Sequence, residues 1–264
     1  MLGRRTVLFG AGACALCGCS GALHRLPGVE PGRLGLASTE IGAGALPARR
    51  DLSDEEVFAT LRAAQARLLG PATGVCREIG SGVCEWRFRA SRDRTMNASA
   101  GGDGLVVVNR GIVEYARSED EVAFVLAHEI GHHAANHVSQ GGRNTAVGAV
   151  LGGLLLGGLA AAAGASSAVG DAAQAGMRAG GAVGRISFSK EQEREADYIA
   201  AVILHRAGYD LRKARGFLVT MARASNRRET GMLDTHPAGP ERLAAYDRAA
   251  AEVLASNGRL PARA

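Results

Sequence analysis

Aromatic side chains are scarce in this chain of 264 residues, at 4% of the composition. A core must therefore be assembled from Ala, Val, Leu and Ile, and the length suffices for one core of ordinary size. Strong charge of one sign is missing too. The net charge of +5 loses two units without Arg4 and Arg5, and the other arginines are dispersed with no aromatic residues between them. No nucleic-acid partner is expected from so mild and scattered a charge. Internal repeats and a second domain are absent from the pattern, and the C-terminus shows no tetratricopeptide array.

One short run stands out against this background: Ala127-His-Glu-Ile-Gly-His-His133. Val122, Val125, Leu126 and Ile130 recur at helical spacing, so the run belongs to a helix with an apolar face. Positions i and i+4 lie one turn apart, so His128 and His132 converge on a single point that suits a zinc ion. Glu129 flanks that point, where its carboxylate can reach an activated water. Left unpaired in a core, these polar groups would cost about 1 to 3 kcal/mol each, and metal coordination satisfies all three.

A third ligand is needed. The long form of the motif would place Gly at 135 and His at 138, but Ala135 and Val138 stand there. His133 and His137 point about 100° and 140° away from His132 on an ideal helix, and read as helix-surface residues or as partners of a ligand. The segment from Phe188 to Ala200 offers carboxylates instead. Glu193 and Asp197 are four apart and share a helical face, so one can bind metal while the other supports it; Glu195 competes for the role. Glu193 lies 61 residues past His132, so a second helix must cross the first. Two histidines and a glutamate leave a fourth position open for water, as catalytic zinc sites do.

His-Glu-Ile-Gly-His, then Glu193-Arg-Glu-Ala-Asp197, then Thr235-His-Pro237 resemble, in this order, metallopeptidase family 48, the HtpX-like and BepA/LoiP-like gluzincins. The resemblance runs from about Asp51 to Leu254. Asn97-Ala-Ser-Ala100, with Gly101-Gly102 and Val106-Val-Val-Asn109, is similar to the strand that precedes the active-site helix in that family. It implies an α+β, mainly helical zincin-type domain with a small β-sheet beside the active-site helix. It also implies one Zn2+ per chain held by His128, His132 and Glu193, with Glu129 as general base, Asp197 orienting a ligand imidazole, and endopeptidase activity. In the family that strand has a free edge, so Asn97, Ala98, Ser99 and Ala100 are expected to receive an extended substrate as a further strand. Unfolded or misfolded envelope polypeptides expose such backbone. Ser99 and Asp103 depart from the larger apolar residue and the proline usual in the family. His236 is expected near the metal, stabilising the intermediate or filling the open position, unless it caps the helix beginning near Pro240. The alternative is a non-proteolytic periplasmic chaperone that holds clients on the same edge.

Arg4-Arg5 precede an apolar run from Thr6 to Leu16 that is short for a membrane span, and Leu16-Cys-Gly-Cys19 fits a lipobox. Residues 1–18 are read as a lipoprotein signal peptide and Cys19 as the lipidated residue holding the protein to a bacterial membrane. Ser20 favours the periplasmic face of the outer membrane. Residues 19–50 read as a tether, and 51–264 as the peptidase domain with a Gly/Ala-rich insertion at 143–184. Loss of Cys14 and Cys17 with the leader leaves Cys76 and Cys84, which flank Gly80-Ser-Gly82 and are expected to bond across a hairpin. Ser53 and Glu56 form a capping box for a helix that should stop at Gly70-Pro71. Strands are expected around 83–90, 95–99 and 105–109, and helices at 211–225 and 240–254. The stretch from Ala146 to Gly170 has no charge and carries small residues at four-residue spacing. Three readings fit it: a buried or partner-facing helical hairpin, a mobile lid, or a membrane insertion.

Overall fold

The computed structural model describes residues 21–183, 188–224, 236 and 238–264. Cys14, Cys17 and Cys19, with their expected processing and lipidation, lie outside the described residues, as do Thr235 and Pro237. In chain order the elements are α1 (Pro31–Gly42), α2 (Asp54–Ile79), β1 (Arg87–Ser91), β2 (Ala98–Ala100), β3 (Leu105–Asn109), α3 (Arg110–Tyr115), α4 (Glu119–Ala134), α5 (His137–Ala162), α6 (Val169–Val183), α7 (Lys190–Arg206), α8 (Leu211–Ala214), α9 (Gly216–Ala224) and α10 (Pro240–Ala255). The fold is α+β and mainly helical.

Helix α2 begins as the capping box predicts, with Ser53 Oγ accepting from Glu56 N–H at 3.2 Å and Glu56 accepting from Ser53 N–H at 2.8 Å. It does not stop at Gly70-Pro71. Pro71 removes one backbone bond, but Leu68, Ala72, Val75, Cys76 and Ile79 keep a buried stripe running through it, and that burial outweighs the break. The helix ends at Gly80, whose φ of 67° is left-handed. Cys76 therefore sits on the last helical turn and Cys84 in extended chain, joined as a disulfide with Cα atoms 5.5 Å apart. The link is between helix and strand approach, not across a hairpin. The turn it closes lies on the C-terminus of α4: Ser81 Oγ donates to Ala134 O at 3.0 Å and Val83 N–H to His133 O at 3.3 Å. A Cβ at Gly82 would fall 1.8 Å from His133 O, so only glycine permits this approach.

Residues 21–50 are not a free tether. Leu23, Leu26, Val29, Leu34, Ile41 and Leu46 pack against the core and Ala37 is buried. Arg215 binds Glu40 through two contacts of 2.7 Å, tying α1 to the helices beneath it. The terminal residues pair with the N-terminal segment: Ala264 N–H donates to Leu23 O at 2.9 Å and Arg25 N–H to Ala262 O at 2.8 Å. The Gly, Ala and Pro content suggests a linker, but six large aliphatic side chains supply enough apolar area to hold the segment down.

In the sheet, β3 is central, parallel to β1 and antiparallel to β2. Ala98 and Ala100 of β2 face inward and Ser99 outward, so β2 is an edge strand with its buried face toward the interior that holds α4. Helices α4 and α7 cross at the centre, and α5 and α6 pair as a hairpin whose leucines are largely exposed.

Candidate metal centre

The motif helix α4 is nucleated by Ser118, whose hydroxyl accepts from Glu121 N–H at 3.3 Å, and by Glu119, Asp120 and Glu121 in its first turn. Helix α7 starts from a second capping box, with Ser189 Oγ accepting from Gln192 N–H and the Gln192 side chain accepting from Ser189 N–H. The two helices meet where Gly131 faces Ala196. A Cβ on residue 131 would lie 2.9 Å from Ala196 O, so the backbones touch and the side chains on either side converge.

Four donors meet there. His132 Nε2 lies 3.1 Å from His128 Nε2, which lies 3.1 Å from His236 Nδ1. Glu193 Oε1 is 2.9 Å from His236 Nδ1 and 3.4 Å from His132 Nε2. All four residues are buried, and their ligand atoms lie within 4.8 Å of one another. Three imidazole nitrogens and a carboxylate turned on one point form the donor set of a divalent metal, with zinc first among the candidates. His236 is not the cap of the last helix: Gly239 takes that position.

Both α4 imidazoles of the cluster are held from behind. Asp197 Oδ1 accepts from His128 Nδ1 at 2.9 Å, and Arg242 grips Asp197 with two donors at 2.7 and 2.8 Å. Arg242 also reaches Glu193 Oε2 at 2.7 Å. His132 Nδ1 instead meets His137 Nδ1 at 3.0 Å, and His137 Nε2 meets Glu195 Oε2 at 2.9 Å. Glu195 in turn accepts from the Leu23 and His24 backbone N–H groups at 2.9 Å and contacts His24 Nδ1 at 2.5 Å. The competition between the two glutamates is thus decided by direction: Glu193 points into the cluster, Glu195 toward the N-terminal segment. His137 is buried, not on the helix surface. His133 is buried as well and contacts Leu105 O at 3.3 Å.

These contacts decide protonation. Burial drives His132 well below its ordinary value, against the pull of Glu193. Burial works to raise Glu193, but Arg242 and His236 outweigh it and hold this carboxyl well below the usual range, so it faces the cluster ionised. Asp197 follows the same balance, its burial overcome by Arg242 and then His128. Glu195, raised by burial but lowered more by its hydrogen bonds with His137 and His24, falls to about 2.

Arg242, His24 and the Leu23 amide escape sequence reasoning. Arg242 follows no spacing rule relative to the motifs, and His24 belongs to a segment whose composition suggests a linker. A cleft lined by Lys190, Glu193, Arg194, Gly239, Pro240 and Arg242 opens beside the cluster.

Glu129 has no structural duty among the described residues. Both of its carboxylate oxygens are buried without a hydrogen-bond partner, and its nearest charged neighbour is His236 Nε2 at 3.7 Å. A buried carboxylate without a hydrogen bond among the described residues, next to a histidine of the donor cluster, is costly to a fold and useful to hydrolysis, which places the protein among the metallopeptidases. The Peptidase family M48 profile matches residues 64–250, and the chain belongs to that family. It is 37% identical over 159 residues to the beta-barrel assembly-enhancing protease of Escherichia coli strain K12, covering 56% of this chain and 31% of that one. It is 28% identical over 189 residues to the metalloprotease LoiP of the same organism, covering 70% and 71%. The mitochondrial metalloendopeptidase OMA1 of Arabidopsis thaliana is 31% identical over 157 residues, covering 60% and 30%. The match to the beta-barrel assembly-enhancing proteases spans about a third of their length.

Proposed function

We propose that this chain is a zinc-dependent endopeptidase of the bacterial envelope, held to the membrane through lipidated Cys19, that cleaves unfolded or misassembled envelope proteins. His128, His132 and Glu193 hold the metal in this reading, Glu129 is the general base, and Asp197 fixes the His128 tautomer. The zinc supplies Lewis acidity toward a water and toward the peptide carbonyl. Glu129, poised and unbonded, takes the proton of the attacking water and returns it to the leaving amine nitrogen. An extended substrate adds to the free edge of β2 beside α4, so Asn97 to Ala100 bind through backbone and select for unfolded chains. The envelope assignment draws on the names of the relatives and on the leader pattern at Arg4 to Cys19.

His236 would complete a four-donor set with His128, His132 and Glu193 when metal is bound, and substrate would have to displace it. Its 3.1 Å approach to His128 Nε2 supports this role over that of an oxyanion partner. His236→Ala should then retain metal and cleave faster; slower cleavage with metal retained would assign it to oxyanion stabilisation instead.

The observation that carries the proposal is the unpartnered Glu129 carboxylate beside four convergent donors. The test compares the chain and Glu129→Gln on an unfolded protein, with metal content measured in both. Wild-type cleavage should exceed that of the variant by at least about 10²-fold at equal metal content. Equal cleavage would reject the mechanism, and bound metal with no cleavage by either would favour a chaperone that only holds clients.

A further inference from the structure

Helices α5 and α6 form a ribbon with two unlike faces. On α5 the residues Val150, Leu151, Leu154, Leu155 and Leu159 form one outward stripe, and Leu154 is 69% exposed. On α6 the outward stripe is Asp171, Gln174, Ala175 and Arg178. Between them lie the small residues: a Cβ on Gly176 would fall 2.0 Å from Gly152 O, one on Gly157 3.0 Å from the Ala173 Cβ, and one on Gly153 2.6 Å from Met177. Gly152, Gly153 and Gly157 are thus taken up within the ribbon. What faces outward from α5 is mostly branched aliphatic surface, with Gly158 open among the leucines, and such a surface suits acyl chains.

The position of this stripe singles out its occupant. Helix α5 begins at His137, which is bonded to Glu195, and Glu195 holds the Leu23 and His24 amides. Leu23 and His24 therefore lie beside the root of the ribbon. Cys19 precedes Leu23 by four residues, a reach of at most about 14 Å. Helix α5 has the length and apolarity of a membrane-crossing helix, but α6 carries Asp171 near the tip and Arg178 midway, and a hairpin thrust into the bilayer would bury both charges at a cost of about 2.5 to 3.5 kcal/mol each.

We infer that the ribbon lies in the plane of a phospholipid bilayer, with the leucine stripe of α5 sunk among the acyl chains and the polar stripe of α6 facing water. It then acts as a second membrane contact that fixes the orientation of the metal centre above the lipid surface. This placement rests on the lipid attachment at Cys19 proposed above but not on peptidase activity, so loss of cleavage and loss of this contact are distinguishable.

Quenching by phospholipids brominated on their acyl chains tests it. The full chain carrying Trp86→Phe receives one new tryptophan, by Leu155→Trp or by Gln174→Trp, and is bound to phosphatidylethanolamine/phosphatidylglycerol vesicles; Leu151→Trp is a second probe of the same stripe. Residues 151 and 155 should lose about half of their emission and residue 174 almost none, as an interfacial helix requires. Strong quenching at all three positions would overturn the in-plane arrangement in favour of insertion. No quenching at 151 and 155 would overturn lipid as the occupant, and disulfide cross-linking between copies carrying Leu155→Cys would then identify a second chain there.

Discussion

Helices α4 and α7 and helices α5 and α6 both pack through glycine, yet they bury opposite chemistry. The first pair crosses at Gly131 and Ala196 and encloses His128, Glu129, His132, Glu193 and Asp197. The second pair interlocks at Gly152, Gly153, Gly157 and Gly176 against Ala173 and Met177, leaving its leucines largely outside. A helical surface rich in ionisable groups is thus buried and one rich in leucine exposed. Burial in the first pair is made tolerable by mutual pairing: Glu193 and Asp197 meet Arg242, Asp197 meets His128, Glu195 meets His137, and Glu129 has His236 Nε2 at 3.7 Å. No such constraint acts on the ribbon, which answers to its surroundings and not to a core.

The sharpest way to break this contrast is at the crossing itself. Gly131→Val forces α4 and α7 apart and should cost about 3 kcal/mol, the upper range for overpacked cores, measured by urea unfolding. Gly158→Val in the ribbon, where a Cβ meets nothing within 4 Å, should leave stability nearly unchanged in the same assay. A comparable loss at both positions would erase the distinction.

Removing the Cys76–Cys84 link by paired serine substitution frees a loop of nine residues and should cost about 2 to 3 kcal/mol. Because this loop rests on the end of α4, metal retention during chelator challenge should fall in parallel; the ribbon should be unaffected, as read by the tryptophan at position 155.

His137→Ala removes the partner of His132 and cuts the line from the metal centre to the N-terminal segment. A 10- to 100-fold weaker zinc affinity by chelator competition is expected, roughly the effect of losing an outer hydrogen bond to a ligand. Glu195→Gln should act in the same direction to a lesser degree, since the glutamine still accepts from the Leu23 and His24 amides. Unchanged affinity in both would reduce the His137–Glu195 pair to packing.

The smallest effect belongs to the ribbon. Leu154→Asp should alter unfolding in solution by no more than about 0.5 kcal/mol, as exposed substitutions do. A loss of several kcal/mol would reveal a buried role for a side chain found exposed.

Helical periodicity was enough to bring His128 and His132 to one face and to pair Glu193 with Asp197, because i and i+4 neighbours are a property of the helix alone. Capping at Ser53 was equally local. The stop at Pro71 was misread because a proline's local cost was weighed without the buried stripe that continues past it. Residues 21–50 were misread because composition does not reveal whether six aliphatic side chains find a surface. Arg242 left no local trace at all: its meaning lies in reaching Asp197 and Glu193 from the first turn of α10.

The sequence by itself determined that His128 and His132 share one helical face and that Glu193 and Asp197 share another, since i and i+4 spacing is fixed within one helical turn. Only the tertiary structure decided that Glu193 turns into the donor cluster and Glu195 away from it, that His137 meets His132, and where the apolar ribbon lies. These depend on the α4–α7 crossing and on the docking of the N-terminal segment, contacts between residues far apart in the chain that no local periodicity records.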